Sequence, residues 1–352
     1  MPSSGPKRFA GRLLFEAANL LPSIRPWLGR WGRRTKPEWF AGRVGTASSG
    51  ATGRRLRLAS CGRNYLSFEL FWRGLDYYEP LTAGLIRTLT GPRGLFVDVG
   101  ANIGFHSLML ASVRPNFDIV AFEPHPDLHA MLADNVAAND FGRIAIERCA
   151  LSDREGARSF YLNRSHMSAS LEPNFDRSHT GVIDVPVTTL DAYLARRGDV
   201  PERFLLKVDI EGHEGALLAG AEQTLRKHRP DIVTEAATPL PADALELLRR
   251  CGYRFRQISD EGLRPCMAPS AYVRGSLVFL NCLLTTRSSG ELEMISAEIR
   301  AQARAIDLRL TSKLADPRVL RRFRGEAPTV PESRRAPVPA LLPGRWPNPQ
   351  TK

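Results

Sequence analysis

The chain has 352 residues, 43% of them hydrophobic and 24% charged, which is enough to bury a sizeable core in one large domain or two small ones. Its net charge of +12 is concentrated at the ends: residues 1–60 carry +10 and residues 286–352 carry +6, which leaves −4 for residues 61–285. A mildly acidic centre lacks the positive stripe of a nucleic-acid-binding domain, so nucleic acid is an unfavoured partner. Five scattered cysteines with no C-x-x-C pair exclude a zinc ribbon and a closed disulfide framework, and a reduced, cytoplasmic setting is expected.

Near the N-terminus, Leu13, Ala17, Leu20 and Ile24 stand at helical spacing, interrupted by Pro22 and Pro26, with Trp27, Leu28 and Trp31 among arginines. Arg12 and Glu16 break the apolar run, so it reads as neither a transmembrane span nor a signal peptide. Two readings of residues 7–34 stay open: a helix or loose extension beside the domain, or an amphipathic segment resting on anionic lipid. Leu56-Arg57-Leu58 has the alternation of a short strand, and Tyr77–Leu89 reads as a short helix.

An apolar run, Leu95-Phe96-Val97, predicts a strand buried on both faces and ending on Asp98. The chain then turns through Gly100-Ala101-Asn102-Ile103-Gly104 into a helix. A second strand, Asp118–Phe122, ends on Glu123, and Pro126 opens a helix with Leu128, Met131, Leu132 and Val136 on one face. Ile144–Cys149 is the third strand. Arg158–Leu162 and Ile183–Val187 are extended segments flanking a polar loop, Asn163–Gly181, which reads either as a lid or as a disordered segment. Further strands are predicted at Phe204–Val208, Asp231–Thr234, Tyr253–Ile258 and Ser276–Leu283. Helices are predicted from Thr189, over Glu214–Lys227 and from Pro241 to Arg250. This alternation implies a doubly wound, mostly parallel α/β sheet.

In such sheets ligands bind at the carboxyl ends of the strands. Asp98, Glu123, Asp209 and Glu235 each end a predicted strand. The glycines Gly100 and Gly104 are spaced G-x-x-x-G, so the G-x-G-x-x-G dinucleotide fingerprint is absent. A turn without a pyrophosphate cradle suits an adenosyl ligand free of phosphates, namely S-adenosyl-L-methionine, with Glu123 accepting both ribose hydroxyls. In Lys207-Val208-Asp209-Ile210-Glu211-Gly212-His213-Glu214, period-two spacing points Lys207, Asp209 and Glu211 the same way if the extended form persists. Asp209 is the first candidate for the acceptor side, and Glu214 reads as a dipole partner in a first helical turn.

The segments FVDVGANIGFHS, AFEPHP, CALSD, VTTLD and KVDIEGHE occur in that order, and together they resemble the FkbM family of S-adenosylmethionine-dependent methyltransferases over about residues 94–284. The resemblance implies a Rossmann-like class I methyltransferase fold, a seven-stranded sheet with an antiparallel last strand. It also implies O-methyl transfer to a hydroxyl of a sugar, glycan or natural product. On the same analogy Asp98, Gly100, Asn102 and Gly104 match the methionine-side turn, Glu123 the ribose acid, and Ala150 and Leu151 the adenine edge. Lys207, Asp209 and Glu211 match the acceptor-side element, and Met167-Ser168-Ala169-Ser170-Leu171 resembles the family's Ser-Ser-Leu stretch with Ala169 interrupting it.

The expected organisation is a basic, partly helical extension (1–60), a methyltransferase domain (61–285), a helical extension (286–325) and a Pro/Arg-rich disordered tail (326–352). Asp209 is expected as the base, with Glu211 second, Lys207 orienting them, and His106 and His213 in reserve. No resident metal is expected, although two neighbouring acids have the oxygen chemistry for a divalent cation. The competing readings are an NAD-type oxidoreductase, disfavoured by the missing fingerprint, and a non-catalytic adaptor at a membrane surface or on nucleic acid using the basic ends. A methyltransferase held at the inner membrane face by residues 7–34 combines two of these.

Overall fold

The computed structural model describes residues 40–43, 54–59, 64, 66–67, 70, 74–75 and 78–306, apart from 164–168, 174, 176–178, 237 and 275–276. The expected lipid-facing segment 7–34, the tail 326–352 and Met167–Ser168 lie outside the described residues. β1 (Phe40–Arg43) and β2 (Arg55–Leu58) pair antiparallel. In β2 Leu56 and Leu58 are buried while Arg55 and Arg57 are exposed, the period-two pattern expected of Leu56-Arg57-Leu58.

α1 (Pro80–Leu89) is followed by β3 (Gly94–Val99), α2 (Phe105–Val113), β4 (Phe117–Phe122), α3 (Pro126–Ala137) and β5 (Ile144–Glu147). β6 (Ala150–Leu151), β7 (Gly156–Asn163) and β8 (His179–Thr188) form a separate small sheet in the order β6-β8-β7. The chain returns through α4 (Leu190–Arg197), β9 (Leu205–Val208), α5 (Glu214–Ala219), α6 (Glu222–Lys227), β10 (Asp231–Glu235) and α7 (Ala242–Arg250). It finishes with β11 (Arg254–Ser259), β12 (Gly262–Cys266), β13 (Tyr272–Arg274), β14 (Leu277–Phe279), β15 (Asn281–Thr285) and α8 (Ser289–Ala305).

The main sheet has eight strands in the order β12-β11-β15-β10-β9-β3-β4-β5. The five strands from β10 to β5 run parallel, and β15 is antiparallel to both of its neighbours. Seven of these strands match the expected Rossmann-like sheet with its antiparallel last strand. The eighth, β12, folds back on β11 as a hairpin across Asp260 and Glu261. Strand β3 shows why the sheet is doubly wound: Phe96 packs into one helical layer, while Leu95, Val97 and Val99 pack into the other. Helices α1, α2, α3 and α8 feed the first core and α4 to α7 the second.

Two predicted elements divide. The helix expected over Glu214–Lys227 breaks into α5 and α6 at Gly220 and Ala221, where a Cβ on Gly220 would lie 2.0 Å from the Ser152 carbonyl oxygen. The chain must pass that oxygen closely, and glycine permits it. The strand expected over Ser276–Leu283 divides at Leu280: β14 pairs with β13, and only β15 joins the main sheet.

Ser288 and Glu291 form a capping box at the start of α8, whose buried Leu292, Ile295, Ile299 and Ala303 recur at three- and four-residue spacing. Cys149, Cys251, Cys266 and Cys282 are free, and no helix among the described residues is long and apolar enough to cross a membrane.

Candidate functional site: a cleft at the carboxyl ends of the strands

The turn after β3 is built by close backbone approach. Asp209 N–H donates to the Val99 carbonyl at 3.0 Å, drawing the chain beyond β9 across the end of β3. A Cβ on Gly100 would sit 1.9 Å from the Asp209 carbonyl oxygen, and Gly100 adopts φ +77. Glycine is therefore required there on two counts. Gly100 and Ala101 N–H groups both donate to the Phe122 carbonyl, at 3.1 and 2.9 Å, which binds this turn to the end of β4.

Glu123 follows directly. Its Oε2 accepts the Asn102 N–H at 2.8 Å and its Oε1 accepts the His125 N–H at 2.9 Å. Asn102 reaches this position with φ +54, a left-handed conformation that asparagine tolerates. The carboxylate is 4% exposed, and burial pushes its pKa up to about 7 against the pull of the two backbone N–H groups.

Around this point opens a cleft that is partly continuous with solvent. Gly100, Ala101, Asn102 and Glu123 line one side, with Ala150, Leu151, Leu128 and Phe160 as an apolar wall. Cys149 also borders it, its thiol raised to about 11 mainly by burial, so it is a poor nucleophile at neutral pH.

Lys207, Asp209 and Glu211 all line the same cleft, next to the Gly100 turn, but not wholly by the expected route. β9 stops at Val208, and Glu211 and Gly212 take φ +56 and +101. The convergence comes from this turn, not from a continued strand. Lys207 is 4% exposed, with its Nζ 3.4 Å from Asp209 Oδ2 and 3.9 Å from Asp98 Oδ1.

Two of the expected cofactor residues sit behind the cleft. Asp98 is 1% exposed; its Oδ2 accepts the Ser107 hydroxyl at 2.7 Å, so it ties α2 and Lys207 to the end of β3. Gly104, φ +82, opens α2, and a Cβ there would lie 2.4 Å from Leu132 Cδ1. Its role is the contact between α2 and α3.

The reserve bases differ in setting. His106 Nε2 lies 3.7 Å from Glu79 Oε2, both side chains buried. His213 has Nε2 at 2.9 Å from Ser152 Oγ and Nδ1 at 2.7 Å from Glu172 Oε1, so both ring nitrogens are engaged with protein. Glu214 stands in the first turn of α5, and its Oε1 accepts the Gly212 N–H at 3.3 Å. Burial raises its pKa.

Glu79 was not singled out from the sequence, although an acidic residue directly before the helix-opening Pro80 marks its place. It holds φ +44 at the N-cap of α1. Oxygens of Glu79, Asp209 and Glu235 lie within 4.8 Å of one another, a donor set suited to a hard cation. The buried ammonium of Lys207 beside Asp209 already supplies positive charge there.

Comparison with known proteins agrees with this geometry. The family described as "Methyltransferase FkbM domain" matches residues 98–255. The hexuronic acid methyltransferase AglP of Haloferax volcanii is 32% identical over 152 residues, covering 43% of this chain and 59% of that protein. The 2-O-methyltransferase NoeI of Sinorhizobium fredii is 26% identical over 163 residues, covering 41% of this chain and 64% of that protein. The chain thus spans about three-fifths of the length of these two relatives. The 31-O-demethyl-FK506 methyltransferase FkbM of Streptomyces tacrolimicus is 30% identical over 202 residues, covering 48% of this chain and 75% of that protein. The crystal structure of FkbM from Methylobacillus flagellatus aligns with a TM-score of 0.38 and 17% identity over 62% of this chain and 52% of that one. The motifs from Asp98 to Glu214, the strand order around them and the 75% coverage of the Streptomyces protein lead to one conclusion: the chain belongs to the FkbM methyltransferase family.

Proposed function

We propose that the chain transfers the methyl group of S-adenosyl-L-methionine to a hydroxyl oxygen of a sugar, glycan or other natural product, in the cytoplasm. The observation that carries this reading is the anchoring of Glu123. Two backbone N–H groups fix the two carboxylate oxygens at the end of β4, beside a glycine turn with no pyrophosphate cradle. A carboxylate so placed has lone pairs left for two vicinal ribose hydroxyls. The apolar wall of Ala150, Leu151 and Phe160 suits an adenine face. The printed names of AglP, NoeI and the Streptomyces enzyme, a hexuronic acid, a 2-O- and a 31-O-demethyl-FK506 methyltransferase, support an oxygen acceptor.

When bound, S-adenosyl-L-methionine supplies an activated methyl group on a positively charged sulfur. The chain's share is alignment and proton removal. Fixing the acceptor oxygen in line with the methyl–sulfur bond can contribute several kcal/mol, about 7 or more in favourable intramolecular cases. Asp209, at the cleft beside Lys207, would take the proton of the acceptor hydroxyl. Lys207 holds the Asp209 carboxylate at 3.4 Å. Glu211 lines the same side as the second candidate base. Asp98 organises Lys207 and α2 from behind.

The test is methyl transfer from tritiated donor into separated glycan, lipid, small-molecule and protein fractions, with Asp209→Asn in parallel. The variant should lose about 10²-fold or more in transfer, with S-adenosylhomocysteine affinity within a few-fold of wild type. Undiminished turnover in Asp209→Asn would remove it as the base. Retention of NAD in place of the labelled donor would remove the methyltransferase reading itself.

A further inference from the structure

His213 joins three walls of the cleft that are far apart in the chain. Through Nε2 it meets Ser152, the residue directly after the Ala150–Leu151 wall. Its backbone belongs to the acceptor-side turn that carries Glu211. Through Nδ1 it meets Glu172, in the part of the β7–β8 insertion that brings Ala169 and Leu171 to the cleft.

A carboxylate oxygen accepts, so Glu172 Oε1 is met by Nδ1–H. Nε2 is then left as the partner of the Ser152 hydroxyl, which also lies 2.9 Å from Asp153 Oδ1.

A second tie runs parallel to this one: the Ser170 hydroxyl donates to the Glu211 carbonyl at 2.7 Å and accepts the Glu172 N–H at 3.0 Å. The intervening turn is shaped to receive the insertion. A Cβ on Gly212 would lie 2.9 Å from Phe175 Cδ2 and 3.7 Å from Glu172 Cγ, and its φ is +101. Any other residue at 212 would be strained and would hold the insertion off.

We propose that His213 and Glu172 are positioning residues. Their hydrogen bond, seconded by Ser170, seats residues 169–173 on the acceptor-side turn and couples that seat to the Ala150–Leu151 wall. Donor binding and ordering of the acceptor wall then become one event. The inference rests on the donor site proposed above and adds to it a coupling between donor wall and insertion. His213 is removed from the list of bases, because both of its ring nitrogens are engaged, by Ser152 and Glu172. In such a network the members reinforce one another, so loss of one contact loosens the rest.

Amide hydrogen exchange on the full chain, with and without S-adenosylhomocysteine, tests it. In wild type the ligand should slow exchange at both 150–153 and 169–173. In Glu172→Ala it should still slow exchange at 150–153, but 169–173 should exchange about tenfold faster and gain no protection from ligand. Ligand affinity should stay within about threefold of wild type, less than the tenfold step that about 1.4 kcal/mol represents. Glu172→Gln, whose Oε1 still accepts from Nδ1–H, should restore the coupled protection, and Ser170→Ala should weaken it in part.

Equal ligand-linked protection at 169–173 in wild type and Glu172→Ala would overturn the proposal. So would a loss that glutamine does not repair. Failure of the wild type to bind S-adenosylhomocysteine would instead count against the donor site. The ligand-free comparison then decides the seat: faster exchange at 169–173 in Glu172→Ala upholds it, and equal rates overturn it.

Discussion

Replacing Glu123 by glutamine should weaken ligand binding and change stability in a direction that depends on pH. The folded chain raises the Glu123 pKa from 4.5 to about 7, with burial as the leading cause. The folded state thus holds this proton more tightly than the unfolded state does. The stability so conferred is present in acid and is lost as the pH rises from 4.5 through about 7. At about 1.4 kcal/mol per pKa unit the full swing is about 3 kcal/mol, of which roughly 2 to 3 falls between about pH 5 and about pH 8. Glutamine cannot ionise and escapes that loss. It can, however, offer only one oxygen to the two N–H groups of Asn102 and His125, and facing its amide N–H₂ to the other costs about 1–3 kcal/mol at any pH. Urea unfolding should therefore find Glu123→Gln less stable than wild type near about pH 5 and equal to it or more stable near about pH 8. Calorimetry near about pH 8 should show S-adenosylhomocysteine binding weakened by about 10-fold or more, since a charge-assisted bond to each ribose hydroxyl is worth about 1.5–3 kcal/mol. Parallel stability–pH curves for the two proteins would refute the burial argument. Unchanged affinity would refute the ribose assignment.

Two further substitutions probe the same framework. Gly100→Ala puts a Cβ 1.9 Å from the Asp209 carbonyl oxygen in a left-handed conformation, so unfolding experiments should show a loss of about 1–3 kcal/mol or more together with loss of ligand binding. Lys207→Met removes the ammonium beside two carboxylates, Asp98 almost fully buried and Asp209 partly so; denaturant titration should register a loss of about 3–5 kcal/mol, and a loss under about 1 kcal/mol would mean that the carboxylates find charge compensation elsewhere.

The parts of this fold that were legible in the sequence are those specified over a few neighbouring residues. Apolar runs at Leu95–Val97 and Phe204–Val208, prolines at helix starts and the Gly-x-x-x-Gly turn each carry their meaning locally, and so the strand–helix alternation and the positions of Glu123 and Asp209 could be read. Where the reading failed, the deciding contact came from a distant segment. Nothing near Gly220 announces that the Ser152 carbonyl will press against it where the helix divides. Gly104 has the spacing of a ligand-side glycine, yet its lost Cβ makes room for Leu132. Asp98 was read as a ligand-side acid from its place at a strand end; the local pattern did not show that its Oδ2 accepts the Ser107 hydroxyl and that Lys207 stands 3.9 Å from its Oδ1.

The acceptor side shows the same limit in sharper form. Lys207, Asp209 and Glu211 were grouped by a period-two argument that requires a strand, and the strand ends before Asp209. They still converge, because Gly212 allows a left-handed turn and the Glu172–His213 bond, between residues 41 apart, pins the insertion over it. A local period grouped three residues that do meet at one cleft, for an incomplete reason. The arrangement that holds them belongs to tertiary contacts: Asp209 N–H on the Val99 carbonyl, the Asp209 carbonyl against Gly100, and Ser170 on the Glu211 carbonyl, none of which a local period announces.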